Sequence, residues 1–134
     1  MTDVQTMLES HPSESAIDVE ILGELIEELS NCAWHCDVCA DSCVESDDIT
    51  RMRECIRLCL DCAETCRVTV EQAGRLGRQE QQAFRQQLEA CRAVCRVCGD
   101  ECANHADSME HCRLCGESCR RCVELCDRAL EALA

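Results

Sequence analysis

Apolar and cysteine residues recur every three or four positions along most of this chain, with charged residues between them. Residues three and four apart share one face of an α-helix, and alternation of the two steps gives the repeat of a helix bundle. No stretch alternates in the way that a β-strand does. The pattern predicts a short helix over residues 3–10 and four longer helices. Three of the long helices span about 14–45, 78–105 and 107–131, and the remaining one lies between the helices at 14–45 and 78–105.

Capping residues mark the ends of the predicted helices. Asp and Ser side chains accept hydrogen bonds from the free N–H groups of a first helical turn, and glycine favours the end of a helix. The signals are Asp47 or Asp48 at the start of the second long helix, Gly74 and Gly77 at its end, and Asp107 or Ser108 at the start of the fourth. Short connections between four helices of similar length predict antiparallel packing.

The fold class expected from this pattern is therefore all-α, an antiparallel four-helix bundle with a short N-terminal helix and a cysteine-lined core. A length of 134 residues is that of one domain. We expect one four-helix-bundle domain over residues 1–134, with an N-terminal segment at 1–12 and the bundle at 14–131.

The seventeen cysteines lie on the faces that these helices turn toward one another. Antiparallel heptad register predicts four layers of four thiols, with a seventeenth thiol below them. The layers are Cys43, Cys55, Cys102 and Cys112; Cys39, Cys59, Cys98 and Cys115; Cys36, Cys62, Cys95 and Cys119; and Cys32, Cys66, Cys91 and Cys122. Three further layers close the tube with Leu29, Thr69, Leu88 and Cys126, then Leu25, Ala73, Phe84 and Ala129, then Leu22, Leu76 and Leu133.

Such a core predicts a metal cargo. Cysteine can act as a small buried hydrophobe, but it is smaller than leucine, and four unfilled layers would leave voids that cost roughly 24 cal/mol per Å³. The first residues show no export signal, so we expect a cytoplasmic protein whose thiols stay reduced. A disulfide scaffold of the secreted type is excluded on the same ground.

The net charge restricts the classes of molecule that the protein is expected to bind. The chain carries 27 acidic residues against 13 basic ones, a net charge of −14. This balance disfavours nucleic acid and anionic membranes and favours the attraction of cations. No apolar run approaches the ~20 residues of a membrane span.

Charge balance also selects the metal. Soft thiolates bind Cu(I), Zn(II) or iron–sulfur clusters, and a buried core must be close to neutral. One Cu(I) cancels one thiolate charge, whereas Zn(II) held by four thiolates leaves two negative charges. Iron–sulfur ligands lie in loops that wrap a cluster, while these cysteines lie within helices. We therefore predict many Cu(I) ions, with a metallothionein-like Zn(II) or soft-metal buffer as the alternative.

Five CxxC units also raise the possibility of a dithiol oxidoreductase. That chemistry uses one activated cysteine at an exposed helix N-terminus. The units here are repeated and mostly lie in mid-helix, with no strand before them. An enzyme is the less favoured alternative, and we expect no catalytic residue.

With its four CxxxCxxCxxxC-type sets, leading amphipathic segment and short loops, the chain resembles the bacterial four-helix-bundle copper storage proteins, the Csp family, over residues 14–131. It is similar to the branch that lacks an export signal. The resemblance implies a cytosolic protein that stores many Cu(I) ions in each bundle and forms a homotetramer. Copper chaperones or small-molecule thiols are the partners expected for loading.

The end of the tube opposite the leucine layers is the expected mouth. Heptad counting beyond the first thiol layer reaches Met52 and His105, and Met109 and His111 flank Cys112. Imidazole and thioether bind Cu(I) more weakly than thiolate and stay uncharged. They suit a transfer point that must release ions inward, and all four are predicted ligands.

Several apolar side chains face away from the seam. Their number on one bundle, including the only tryptophan, favours an interface between subunits. They are Trp34, Val38, Leu60, Val68, Val97 and Leu114.

Overall fold

Five helices make up the part of the chain that the computed structural model describes, which is residues 3–75 and 81–133. They are α1 Asp3–Glu9, α2 Val19–Val44, α3 Ile49–Ala73, α4 Gln81–Ala103 and α5 Glu110–Leu133. Within those ranges there is no strand, and no helix has the length and apolar character needed to span a membrane. The all-α prediction is confirmed.

Each of the four long helices packs against the helices next to it in a closed ring. Helix α2 contacts α3 and α5, α4 contacts the same two helices, and α1 lies against α2. This is the four-helix arrangement expected from the short connections. The cysteine-bearing face of every long helix therefore points to one shared interior.

Helix α2 begins at Val19, five residues later than predicted. The Asp18 side chain accepts a hydrogen bond from the backbone N–H of Glu20 at 2.8 Å, and the Ser15 hydroxyl accepts one from the N–H of Ile17 at 3.2 Å. Side chains of this kind offer the backbone an alternative to helix. The predicted start at residue 14 is wrong because these two residues hold the chain outside the helix.

The predicted ends of the second long helix are found in α3. Asp48 is the N-cap, with its carboxylate 3.3 Å from the N–H of Arg51, and Gly74 is the C-cap. Gly77 and the predicted start of the next helix at residue 78 lie outside the described residues.

The connection between α4 and α5 differs from the prediction. Helix α4 ends at Ala103 and α5 begins at Glu110, so neither Asp107 nor Ser108 caps α5. The backbone N–H groups of Ser108 and Met109 both donate to the His105 carbonyl, at 3.2 and 2.9 Å. Because these bonds continue the turn after α4, α5 starts three residues later than the predicted residue 107.

An apolar plug fills the end of the bundle near α1. Leu25, Leu29, Phe84 and Leu88 are completely buried there. Thr69 is buried among them, and its hydroxyl donates to the Thr65 carbonyl at 2.8 Å. Leu22, Ala73 and Ala129 are also buried, Leu133 packs against the core, and Leu76 lies outside the described residues.

Two glycines let α4 and α5 approach closely. A Cβ atom on Gly99 would lie 3.1 Å from Cys119 Cβ, and one on Gly116 would lie 3.4 Å from Cys102 Cβ. A methyl group at Gly99 would require the two helices to shift by a few tenths of an ångström, whereas one at Gly116 would just touch the facing helix. The glycines thus hold the thiols of these two helices within reach of one another.

Candidate metal centre

All seventeen cysteines are reduced and lie in the bundle interior. None is more than 1% exposed, and none forms a disulfide. They share one continuous core cluster with the leucines and Phe84. The helical spacing of the sequence therefore produces a column of thiols that continues directly into the apolar plug.

Neighbouring sulfur atoms lie 3.6–4.0 Å apart across helices as well as along them. Helices α2, α3 and α4 meet largely in the predicted register. The Sγ–Sγ distances within predicted layers are 3.9 Å for Cys43–Cys55, 3.9 Å for Cys55–Cys102, 3.8 Å for Cys59–Cys98 and 3.8 Å for Cys62–Cys95.

The thiols of α5 lie between successive thiols of α2 rather than level with one of them, since the predicted partners Cys36 and Cys119 also lie within 4.8 Å of each other. Cys112 contacts Cys39 at 3.9 Å, Cys115 contacts Cys36 at 3.6 Å, and Cys119 contacts Cys32 at 3.8 Å. Heptad counting had paired these three α5 residues with Cys43, Cys39 and Cys36 instead. Knobs of one helix insert between residues of the facing helix rather than opposite single residues. The four thiols of a predicted layer consequently lie at different heights along the bundle axis.

Staggering brings the thiols into overlapping groups of four rather than separate rings. In each group the potential ligand atoms all lie within 4.8 Å of one another. Four groups contain only cysteine, and the fifth contains a histidine. They are Cys32, Cys62, Cys66 and Cys95; Cys32, Cys36, Cys62 and Cys119; Cys36, Cys98, Cys115 and Cys119; Cys39, Cys59, Cys102 and Cys115; and Cys39, Cys43, His111 and Cys112.

Sharing of sulfurs between groups favours clusters over isolated ions. Cys32, Cys36, Cys39, Cys62, Cys115 and Cys119 each belong to two groups. A thiolate that bridges two metal ions contributes its single charge to both. A connected array of soft donors of this kind suits a monovalent soft cation.

Burial disfavours the charged thiolate form of each of these cysteines in the metal-free protein. Burial, together with the neighbouring Cys55, raises the pKa of Cys43 from 9.0 to about 11. The neighbouring Cys91 and burial likewise raise the pKa of Cys126. A thiol must lose its proton to bind metal, so an incoming cation has to displace protons from the core.

The four predicted non-cysteine ligands gather at the end away from the plug. Met52 is completely buried, His105 is 6% exposed, and Met109 packs against the core. His111 is brought directly to the thiols, with its Nδ1 atom 3.4 Å from Cys39 Sγ and 3.5 Å from Cys112 Sγ.

A surface cavity of about 370 Å³ opens beside the two methionines. Carboxylates and one arginine surround it. Its lining residues are Glu45, Ser46, Asp47, Asp48, Arg51, Met52 and Met109. The cavity therefore joins an acidic surface to thioethers that adjoin the thiol column.

Glu101 is a neighbour of this region that the sequence interpretation did not include. Its Oε1 atom lies 3.0 Å from His105 Nε2. The other ring nitrogen, Nδ1, is buried and has no hydrogen-bond partner among the described residues. The i,i+4 spacing of Glu101 and His105 is the sequence signal that could have indicated the pair.

Comparison with known proteins agrees with this geometry. The sequence profile of the Csp family, described as copper storage protein, matches residues 18–131. The chain belongs to the copper storage protein family. No curated protein sequence matches it at a significant level.

Solved structures of copper storage proteins share the fold. The copper storage protein Ccsp of Streptomyces lividans, loaded with 10 copper equivalents, is 38% identical with a TM-score of 0.93, covering 96% of this chain and 98% of that one. A five-copper structure of the cytosolic copper storage protein of S. lividans is 40% identical, with a TM-score of 0.82 and coverages of 84% and 93%. Cu(I)-bound BsCsp3 is 27% identical, with a TM-score of 0.70 and coverages of 79% and 94%.

Proposed function

We propose that this copper storage protein holds and buffers many Cu(I) ions in the cytosol, without catalysing a reaction. The observation that carries the proposal is the column of seventeen buried, reduced thiols, most of which have another sulfur 3.6–4.0 Å away. All seventeen cysteines are proposed ligands. The related S. lividans protein, whose structure contains ten copper equivalents, supports a capacity well above that of a single site.

Charge explains why the cargo is monovalent. Seventeen protonated thiols form a neutral core, and exchange of each proton for one Cu(I) keeps that core neutral. Divalent ions held by four thiolates would leave uncompensated negative charge inside the bundle, which is strongly unfavourable. The shared sulfurs of neighbouring groups allow many ions to be held by a limited number of thiols.

Titration of the reduced protein with Cu(I) against a competing chelator tests the proposal. We expect saturation at many more than four ions per chain, because the overlapping groups connect most of the thiols in the column. Release of protons, followed in weakly buffered solution, should accompany loading. Saturation at one to four ions would contradict storage. Displacement of Cu(I) by Zn(II) in competition would favour the zinc buffer.

We infer that ions enter at the end that carries Met52, His105, Met109 and His111. Three of these side chains are buried or packed against the core, and His111 contacts two thiols. Neutral donors of moderate affinity hold an ion without trapping it. The opposite end is filled by leucines and Phe84, so a route through it would require displacement of the plug.

A double substitution at the mouth, Met52→Leu with His105→Ala, should slow loading and chelator-driven removal at least several-fold. Total capacity should barely change, because the thiol column remains. Stopped-flow mixing with a Cu(I)–chelator complex measures the rates, and titration measures the capacity. Cys66→Ala, deep in the column, is the matched control and should lower capacity while leaving the initial rate unchanged. Wild-type rates in the double variant would exclude this route.

A homotetramer is the proposed assembly. The apolar side chains that the sequence placed outside the seam are exposed on the single chain, with Trp34 at 64%. Trp34 and Val38 lie on α2 beside the ion pair between Asp37 and Arg67. Copper chaperones or small-molecule thiols are the proposed donors and acceptors of copper. Sedimentation of the purified protein tests the assembly state.

A further inference from the structure

The surroundings of His105 assign a role to a residue outside the predicted ligand set. We propose that Glu101 is a positioning residue, which fixes the tautomer and orientation of His105 so that the Nδ1 atom is the copper-binding atom. The role of His105 as a ligand rests on the proposed function. The hydrogen-bonded pair itself belongs to the metal-free protein.

The backbone of His105 is held on both sides. Its N–H donates to the Cys102 carbonyl at 3.1 Å, and its own carbonyl accepts from the N–H of Met109 at 2.9 Å and of Ser108 at 3.2 Å. The residue therefore has a fixed Cα position at the end of α4. What remains free is the rotation of the side chain, and Glu101 is the group that restrains it.

The contact with Glu101 determines which ring nitrogen carries the proton. A neutral imidazole has one N–H donor and one acceptor nitrogen, and an ionised carboxylate only accepts. With Glu101 Oε1 3.0 Å from Nε2, the proton must lie on Nε2 for a hydrogen bond to form. Nδ1 then carries the lone pair, which is the form of histidine that binds a metal.

Burial gives that lone pair a specific use. The His105 side chain is 7% exposed, and Nδ1 has no partner among the described residues. A buried polar atom without a partner costs stability in a protein that never uses it. A carboxylate that holds one nitrogen of a histidine while the other binds metal is a widespread arrangement around metal sites. The orphaned atom is therefore an acceptor kept available for a cation.

Nitrogen NMR of protein labelled with ¹⁵N-histidine tests the assignment in the metal-free state. We expect His105 to be the Nε2–H tautomer. His35 is the internal control, because its Nδ1 lies 2.7 Å from the Asn31 carbonyl and must donate to it. His35 should therefore be the Nδ1–H tautomer. In Glu101→Leu, which removes the acceptor, His105 should populate both tautomers. Glu101→Gln retains a carbonyl oxygen and should restore the Nε2–H form.

Copper binding provides the second readout. In protein whose thiols are already filled with copper, a further equivalent of Cu(I) should shift the Nδ1 signal of His105 while Nε2 remains protonated. Glu101→Leu should weaken binding of this last ion by about tenfold, the lower end of what such supporting residues contribute. In a His105→Ala background the same substitution should have no further effect. An equal loss in both backgrounds would mean that Glu101 attracts cations by charge alone and would overturn the proposal.

The two readouts separate the possible failures. An Nδ1–H tautomer for His105 in the wild-type protein, or an unchanged tautomer in Glu101→Leu, would refute the role of Glu101 whatever the capacity for copper. A low capacity in titration with the expected tautomer would instead refute storage and leave the histidine–carboxylate pair in place.

Discussion

Replacing Phe84 with alanine is expected to destabilise the metal-free protein by about 3–5 kcal/mol, the range for removal of a fully buried aromatic side chain. Phe84 is completely buried in the apolar plug with Leu25, Leu29 and Leu88. This plug requires no metal, so the wild-type apo-protein should already be helical. Total stabilities of domains are roughly 5–15 kcal/mol, and the substitution would remove a large share of that.

Urea unfolding followed by circular dichroism measures this loss. Cys126→Ala is the matched control, because Cys126 is equally buried and belongs to the same predicted layer as Leu29 and Leu88, but the substitution removes only one sulfur atom. The control should unfold near the wild-type midpoint and bind less copper, whereas Phe84→Ala should do the reverse. A wild-type apo-protein that is unfolded and becomes helical only with copper would show that metal, rather than the plug, holds the helices together.

Alkaline pH is expected to unfold the metal-free protein. The pKa of Cys43 is raised from 9.0 to about 11 by burial and by Cys55. Below pH 9 this thiol is protonated in both the folded and the unfolded protein, and its contribution to folding stability is complete. Between about pH 9 and 11 the unfolded chain loses the proton that the folded chain keeps, so stability falls. One such thiol contributes on the order of 3 kcal/mol. Cys36, Cys39 and Cys126, whose pKa values are also raised by neighbouring thiols and by burial, act in the same direction.

The composition makes this experiment selective. The chain has neither tyrosine nor lysine, so cysteine is the principal side chain that titrates between pH 9 and 11. Helix content measured against pH should fall through this window in the apo-protein. The copper-loaded protein is the control and should stay folded, since its thiols are already deprotonated and neutralised by metal. Equal alkaline stability of the two forms would contradict the neutral-thiol core.

The interior of this protein could be predicted from its sequence because its cysteines mark the helical faces without ambiguity. Leucines alone would identify only the seam, but cysteine at the seam positions of four consecutive layers also indicated what that part of the seam binds. Asp48 and Gly74 fixed the two ends of α3 for a similar reason, since their preference for caps is strong.

Features that depend on contacts between segments were harder to predict. The late start of α2 follows from Ser15 and Asp18, whose bonds to the backbone compete with helix formation. The offset of α5 against α2 depends on how neighbouring side chains interdigitate, which heptad counting does not contain. Glu101 was missed because a surface glutamate is common, and only the orphaned nitrogen of His105 makes it distinctive.

The junction between plug and thiol column has a consequence for how such proteins vary in size. Both parts follow one heptad repeat along the same four helices, and each heptad contributes two seam positions per helix. A chain lengthened by one heptad in every helix would gain about eight thiols, with the plug and the mouth unchanged. Insertion or deletion of heptads can therefore change the number of metal ions that one molecule binds, in fixed steps and within the same fold.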